Sequence, residues 1–281
     1  MKGKVANFIS LMLFLLALSR LSFASTIAVS INPYYLMVKE IVGEKAEVFL
    51  IIKPGVDPHS FSPTVKDVKA ISRADLIIAN GLGLDEFYLR GYKNVLYLGE
   101  KVPSEILEGE DHHGVNPHIW LSPDLLARYI IPSIVEEITK LDRANDSFYK
   151  ERAERLINSL KDISKRFDEL LQSRRNSMVV LDHPSYFYLF KKYGIKILSA
   201  EEGHGKQPTI SHIKKIIEEA QKSNLIGIFV GPQFNKSAIE VISRELKRSY
   251  HILDPIGIEA KGITELFEKA YRTISEALDE G

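Results

Sequence analysis

Four residues carry metal-ligand side chains at loop positions: His59, His118, His183 and Asp254. His59 lies in Pro54-Gly55-Val56-Asp57-Pro58-His59, shortly after the strand-like run Val48 to Ile52, and His118 lies in Asn116-Pro117-His118-Ile119-Trp120-Leu121. His183 follows the apolar run Met178 to Leu181, and Asp254 follows Ile252-Leu253. Three imidazoles and a carboxylate make a nitrogen and oxygen set suited to a four-coordinate divalent ion, zinc above all. Such a closed set binds and carries, because it leaves no open position for an activated water. Taken singly, each residue also has an ordinary reading: a Pro-flanked turn at His59, a packed ring at His118, a turn residue at His183, and at Asp254 a turn begun before Pro255. The joint occurrence of type and placement is what points to one shared site.

Three further histidines are possible auxiliary ligands. His112 and His113 lie in the short acidic loop Glu108 to Gly114, which reads first as a solvated surface loop, and His204 lies in Gly203-His204-Gly205-Lys206. His212 and His251 read as structural or exposed. Other chemistries lack their signatures. No Gly-rich loop ending in Lys-Ser or Lys-Thr follows a strand, Gly81-Leu82-Gly83 lacks a third glycine, and there is neither a His-Glu-x-x-His zinc-protease motif nor a Gly-x-Ser-x-Gly elbow. The rival from another class is a secreted zinc enzyme with Glu201 or Glu202 as its acid or base, which would need reach to a metal-bound water. A surface adhesin with a structural metal is a third reading.

The elements that would position these residues follow from periodicity. Thr26 to Ile31, Ala46 to Ile52, Leu76 to Ala79 and Val95 to Leu98 are strand-like, with helical stretches after the Asn32-Pro33 turn, up to Val42, and over Thr64 to Ser72. Ser122-Pro123-Asp124 marks a helix start. From about Asn145 to Leu171 a helix runs without Gly or Pro, its stripe formed by Leu156, Leu160, Ile163, Phe167 and Leu170. Strand-like runs then return at Met178 to Leu181, Ile195 to Leu198, Ile226 to Val230 and Tyr250 to Leu253. Helices are expected near Tyr186 to Tyr193, Ser211 to Lys222, Ser237 to Leu246 and Thr264 to Leu278. This alternation predicts an α/β protein of two lobes, each a parallel sheet with flanking helices, joined by one long helix. Ligands of open α/β sheets bind beyond the carboxyl ends of the strands, where His59, His183 and Asp254 fall, so a cleft between the lobes is the expected site.

The chain has 281 residues, 45% hydrophobic and 26% charged, with 37 basic against 37 acidic side chains. This balance argues against a nucleic-acid binder. Residues 1–24 have the layout of a secretory signal peptide: Lys2 and Lys4, an apolar run from Phe8 to Leu18, and small residues at Ser22-Phe23-Ala24. An uncleaved membrane anchor is the alternative. Either places the mature body outside the cytoplasm, periplasmic or at the cell surface, with 34 basic and 37 acidic residues after removal of the leader. With no cysteine in the chain, neither disulfides nor a lipidated amino-terminal cysteine is available. The expected organisation is a leader at 1–24, a first lobe at 25–130, a helical connection at 131–173 and a second lobe at 174–281.

The segments Pro54 to Pro63, Asn116 to Leu121, Asp182-His183-Pro184-Ser185-Tyr186 and Leu253-Asp254-Pro255-Ile256-Gly257 resemble those of the zinc and manganese substrate-binding proteins of ABC transporters. Asn80-Gly81 and Gly231-Pro232-Gln233-Phe234 are similar to that family too, and the resemblance covers essentially the whole mature chain. It implies four-stranded parallel sheets, a rigid connecting helix, and a metal held between the lobes by His59, His118, His183 and Asp254. It also implies delivery of the ion to a permease driven by a separate ATPase, with no enzymatic activity, and the chain is expected to act as a monomer. Manganese-preferring relatives tend to carry Glu in place of His183, so the resemblance tilts the cargo to Zn²⁺, with Mn²⁺ the alternative. Many zinc members have a longer His-rich loop than the one holding His112 and His113. Protons should compete for the imidazoles, whose unperturbed pKa lies near 6.5, so affinity is expected to fall below about pH 6.

Overall fold

The computed structural model describes residues 25–109, 114–202 and 208–280. The expected leader over 1–24 and the auxiliary candidates His112, His113 and His204 lie outside these residues. Among the described residues, eight strands form two sheets of four, all parallel. The first comprises β1 (Ser25–Val29), β2 (Ala46–Leu50), β3 (Leu76–Ala79) and β4 (Val95–Tyr97), and the second β5 (Met178–Leu181), β6 (Lys196–Ser199), β7 (Leu225–Val230) and β8 (Tyr250–Ile252). Their orders are β2-β1-β3-β4 and β6-β5-β7-β8, so the second lobe repeats the connectivity of the first. Central strands β3 and β7 are buried along their whole length, as continuous apolar runs covered by helices on both faces must be.

Strand ends depart slightly from the sequence expectation. β1 stops at Val29 and β2 at Leu50, yet Ile51 and Ile52 still donate to Val29 and Ser30 carbonyls. Leu98, expected in β4, instead starts a 3-10 turn to Lys101. Asn32-Pro33 opens helix α1 (Asn32–Val42) rather than standing outside it, because proline is tolerated in a first turn.

One helix of 26 residues, Asp146–Leu171, ties the lobes together. At about 1.5 Å per residue it spans roughly 40 Å. Its buried face runs through Tyr149, Ala153, Leu156, Leu160, Ile163, Phe167 and Leu171 in steps of three and four. Leu171, not the expected Leu170, completes the stripe. Arg152 donates to the Glu40 carbonyl of α1 at 2.5 Å, and Arg166 pairs with Glu268 of the C-terminal helix (Ile263–Asp279) at 2.5 Å. The main apolar core accordingly contains residues of both lobes and of this helix, whereas a smaller one lies under the second sheet.

Hydrogen bonds, most of them buried, also cross directly between the lobes. Trp120 Nε1 donates to the Pro255 carbonyl at 2.8 Å, and Asn32 Nδ2 to those of Ile256 and Gly257 at 3.0 and 2.7 Å. Asn116 Nδ2 donates to the Pro184 carbonyl at 2.9 Å, and Tyr188 Oη to that of Asn116 at 2.7 Å. Among the described residues, no helix is long and apolar enough to cross a membrane.

Candidate metal centre

His59 sits at the end of the irregular segment after β2, half-buried, with its backbone N–H held by Asp57 Oδ1 at 3.1 Å. His118 precedes a 3-10 turn (Ile119–Leu121), and Ser122 then caps the next helix by accepting from the Leu125 N–H at 3.3 Å. His183 lies two residues beyond β5. Both His118 and His183 are buried, at 2% and 3% exposure.

Their imidazoles converge through Nε2. The His118 atom lies 3.1 Å from that of His59 and 3.0 Å from that of His183. Nitrogens held about 2.0–2.1 Å from a tetrahedral zinc ion stand roughly 3.3 Å apart, so these spacings are close to those of three ligands on one ion. The rings are fixed from behind. Asn116 gives its Nδ2 to the Pro184 carbonyl, which turns its Oδ1 toward His118 Nδ1 at 2.8 Å. That oxygen also receives the His118 backbone N–H at 3.0 Å. Glu201 Oε2 meets His183 Nδ1 at 2.5 Å. Both acceptors draw a proton onto Nδ1, so in each neutral ring Nε2 is the nitrogen turned toward the cluster and able to serve as a metal ligand. Two Nε2 atoms 3.0 Å apart must share a proton or a metal cation between them, since two lone pairs at that distance would repel. Trp120 packs on His118 and Phe234 on His183, with ring centroids 4.8 and 5.4 Å away. A cavity of about 10 Å³ opens among the three rings, Asp57, Ser185 and Pro255, about the room of one water or ion.

Asp254 stands outside this group: among the described residues, the metal-ligating atoms gathered within 4.8 Å of one another belong to His59, His118 and His183. Its Oδ1 accepts from the N–H groups of Ile256 and Gly257, both at 2.9 Å, and its Oδ2 from that of Ile258 at 2.6 Å. This shapes the turn whose carbonyls the first lobe grips through Trp120 and Asn32. Asp182, beside His183, is pushed up to about 6 by burial, against the Gly231 N–H that stabilises its charge.

The pairing of His183 with Glu201 follows from strand register. β5 and β6 are parallel neighbours with Leu181 opposite Ser199, and the Ala200 and Glu201 N–H groups extend the ladder to the Leu181 and Asp182 carbonyls. Two residues further on, side chains of the same face meet, and these are His183 and Glu201. In the sequence Glu201 stands out only as an acid for a rival enzyme, and Asn116 has no evident role. A local signal existed for Asn116, two residues before His118; none existed for Glu201, 18 positions from His183.

A two-lobed α/β frame with a helical tie and an imidazole cluster between the lobes is the plan of a metal-binding substrate-binding protein, and the relatives of the chain bear this out. The chain matches the family described as zinc-uptake complex component A, periplasmic (ZnuA), over residues 27–281, and it belongs to that family. It is 33% identical over 269 residues to a putative metal-binding protein of Thermotoga maritima, covering 95% of this chain and 98% of the relative. It is 25% identical to the high-affinity zinc uptake system protein ZnuA of Bacillus subtilis, covering 80% and 76%. Among solved structures it is similar to the substrate-binding protein FpvC of Pseudomonas aeruginosa in complex with Mn²⁺, with a TM-score of 0.77, 29% identity, and 91% and 98% of the two chains covered.

Proposed function

We propose that this protein captures Zn²⁺ outside the cytoplasm through Nε2 of His59, His118 and His183 and delivers it to an ABC permease driven by a separate ATPase. It does so as a monomer, released by cleavage of its leader or held by it as an anchor. Residues 25–130 and 174–281 act as the two lobes and 131–173 as their connection. The observation that carries the reading is the convergence of three Nε2 atoms, two of them turned inward by acceptors held on Nδ1. An all-nitrogen cluster favours zinc over manganese by ligand softness, and the B. subtilis relative is named for zinc uptake. The Mn²⁺ complex of FpvC keeps manganese as the second reading.

Asp254, the fourth ligand expected from the sequence, would join the set only by turning a carboxylate oxygen away from its own turn. Competition titration with a chromophoric chelator tests the assignment. Zn²⁺ should bind at one-to-one stoichiometry and more tightly than Mn²⁺, and His118→Ala should weaken it by a hundredfold or more. Tighter binding of Mn²⁺ would favour the second reading, and unchanged affinity in the variant would remove the site. Loss of growth in zinc-poor medium on deletion, rescued by added zinc, would tie binding to uptake.

A further inference from the structure

We infer that Glu201 is a positioning residue for metal capture, and that it supplies through His183 the negative charge which the three-imidazole cluster lacks. The inference rests on the cluster being the metal site. In the described geometry three imidazoles face one another, while the carboxylate of Asp254 stands outside the group and is engaged by three backbone N–H groups of its own turn. A dipositive ion moved from water onto three neutral ligands in a buried cleft keeps its full charge, and burying an uncompensated charge is costly.

The two rings held from behind are treated differently. His118 is backed by the neutral amide of Asn116, at 2.8 Å, and His183 by the carboxylate of Glu201, at 2.5 Å. A carboxylate on the far nitrogen makes the ring a stronger donor and spreads its charge toward the ion, which an amide does not do. The Glu201 side chain is only 16% exposed and that of His183 4%, so solvent screens this contact little. The β5–β6 register brings the two side chains together, so the contact is built into the sheet rather than left to a mobile loop.

The test compares zinc affinity in the purified wild-type protein and in Glu201→Gln, Glu201→Leu and His183→Ala, with nitrogen NMR shifts of His183 recorded on the metal-free proteins. Gln keeps an acceptor oxygen and removes only the charge, so zinc should bind ten- to a hundredfold more weakly while His183 keeps its proton on Nδ1. Leu should weaken binding at least as much and also let the proton redistribute between Nδ1 and Nε2, a change that a purely structural role would not produce. Affinity of Glu201→Gln within threefold of wild type would overturn the charge role. An unchanged tautomer in Glu201→Leu would overturn the positioning role. Undiminished binding by His183→Ala would instead overturn the metal site itself, so the two failures are told apart.

Discussion

His118 is the hub of the proposed site, because its Nε2 lies 3.1 Å from that of His59 and 3.0 Å from that of His183. His118→Ala and His183→Ala should each remove about 3 kcal/mol or more of zinc binding, read by chelator competition. His59, on the half-buried edge, should cost less when replaced than either buried ligand. Asp254→Asn separates two roles. As the anchor of its turn, Asp254 should cost stability, about 1–3 kcal/mol in chemical denaturation, with zinc affinity kept. A loss of a hundredfold or more in affinity would instead make it a ligand. The three histidines were legible in the sequence because each stands in a Pro-marked loop, two of them close behind an apolar run. Asp254 followed by Pro255 carried two readings, ligand and turn initiator, and the local sequence could not weigh three backbone N–H bonds against one metal bond. Glu201 was illegible as a partner because its meeting with His183 depends on the register of two strands 18 residues apart.

At the scale of elements, the tie helix and the turns behind the strands carry the stability of the site. Leu160 of the Asp146–Leu171 helix is fully buried, and Leu160→Ala should cost about 2–5 kcal/mol by denaturant unfolding. Behind β3, Asp85 is fully buried and accepts the Asn80 and Gly81 N–H groups at 2.7 and 2.8 Å, and burial pushes it up to about 6. The folded protein thus holds a proton there that the unfolded chain, titrating near 4, has already lost. Asp85 therefore favours folding most below pH 4, and that contribution fades as pH rises from about 4 to 6, by about 3 kcal/mol. Asp85→Asn should remove this fall, seen as a flatter difference in unfolding midpoint across that range; an identical slope in both proteins would contradict it. The helices and strands were legible from their apolar periods, since long runs bury long stripes. What escaped was local: Leu171 in place of Leu170 in the stripe, and Leu98 in a 3-10 turn rather than in β4. Such ends are decided by packing and by the next turn's hydrogen bonds, not by the period.

In the whole molecule, the long helix, the shared core and the Trp120, Asn32 and Tyr188 bonds join the lobes into one body. Wide closure around the ion would break these buried bonds, so capture and release should proceed by local movement near His59. The cysteine-free chain allows spin labels at Lys69→Cys and Lys215→Cys, both exposed, one in each lobe. Zinc should shift their mean separation by less than roughly 2 Å, and a hinge change well beyond that would contradict a rigid frame. The two-lobed plan was legible because strand and helix patterns restart after residue 171. The bonds that lock the lobes were not, since each joins residues distant in the chain.

The most direct measurement is anomalous diffraction at the zinc absorption edge from crystals of protein purified without added metal and then given one equivalent of Zn²⁺. The expected result is one zinc peak bonded to Nε2 of His59, His118 and His183 at about 2.0–2.1 Å. A zinc peak elsewhere, or bonded to none of these rings, would contradict the assignment of this cluster as the cargo site.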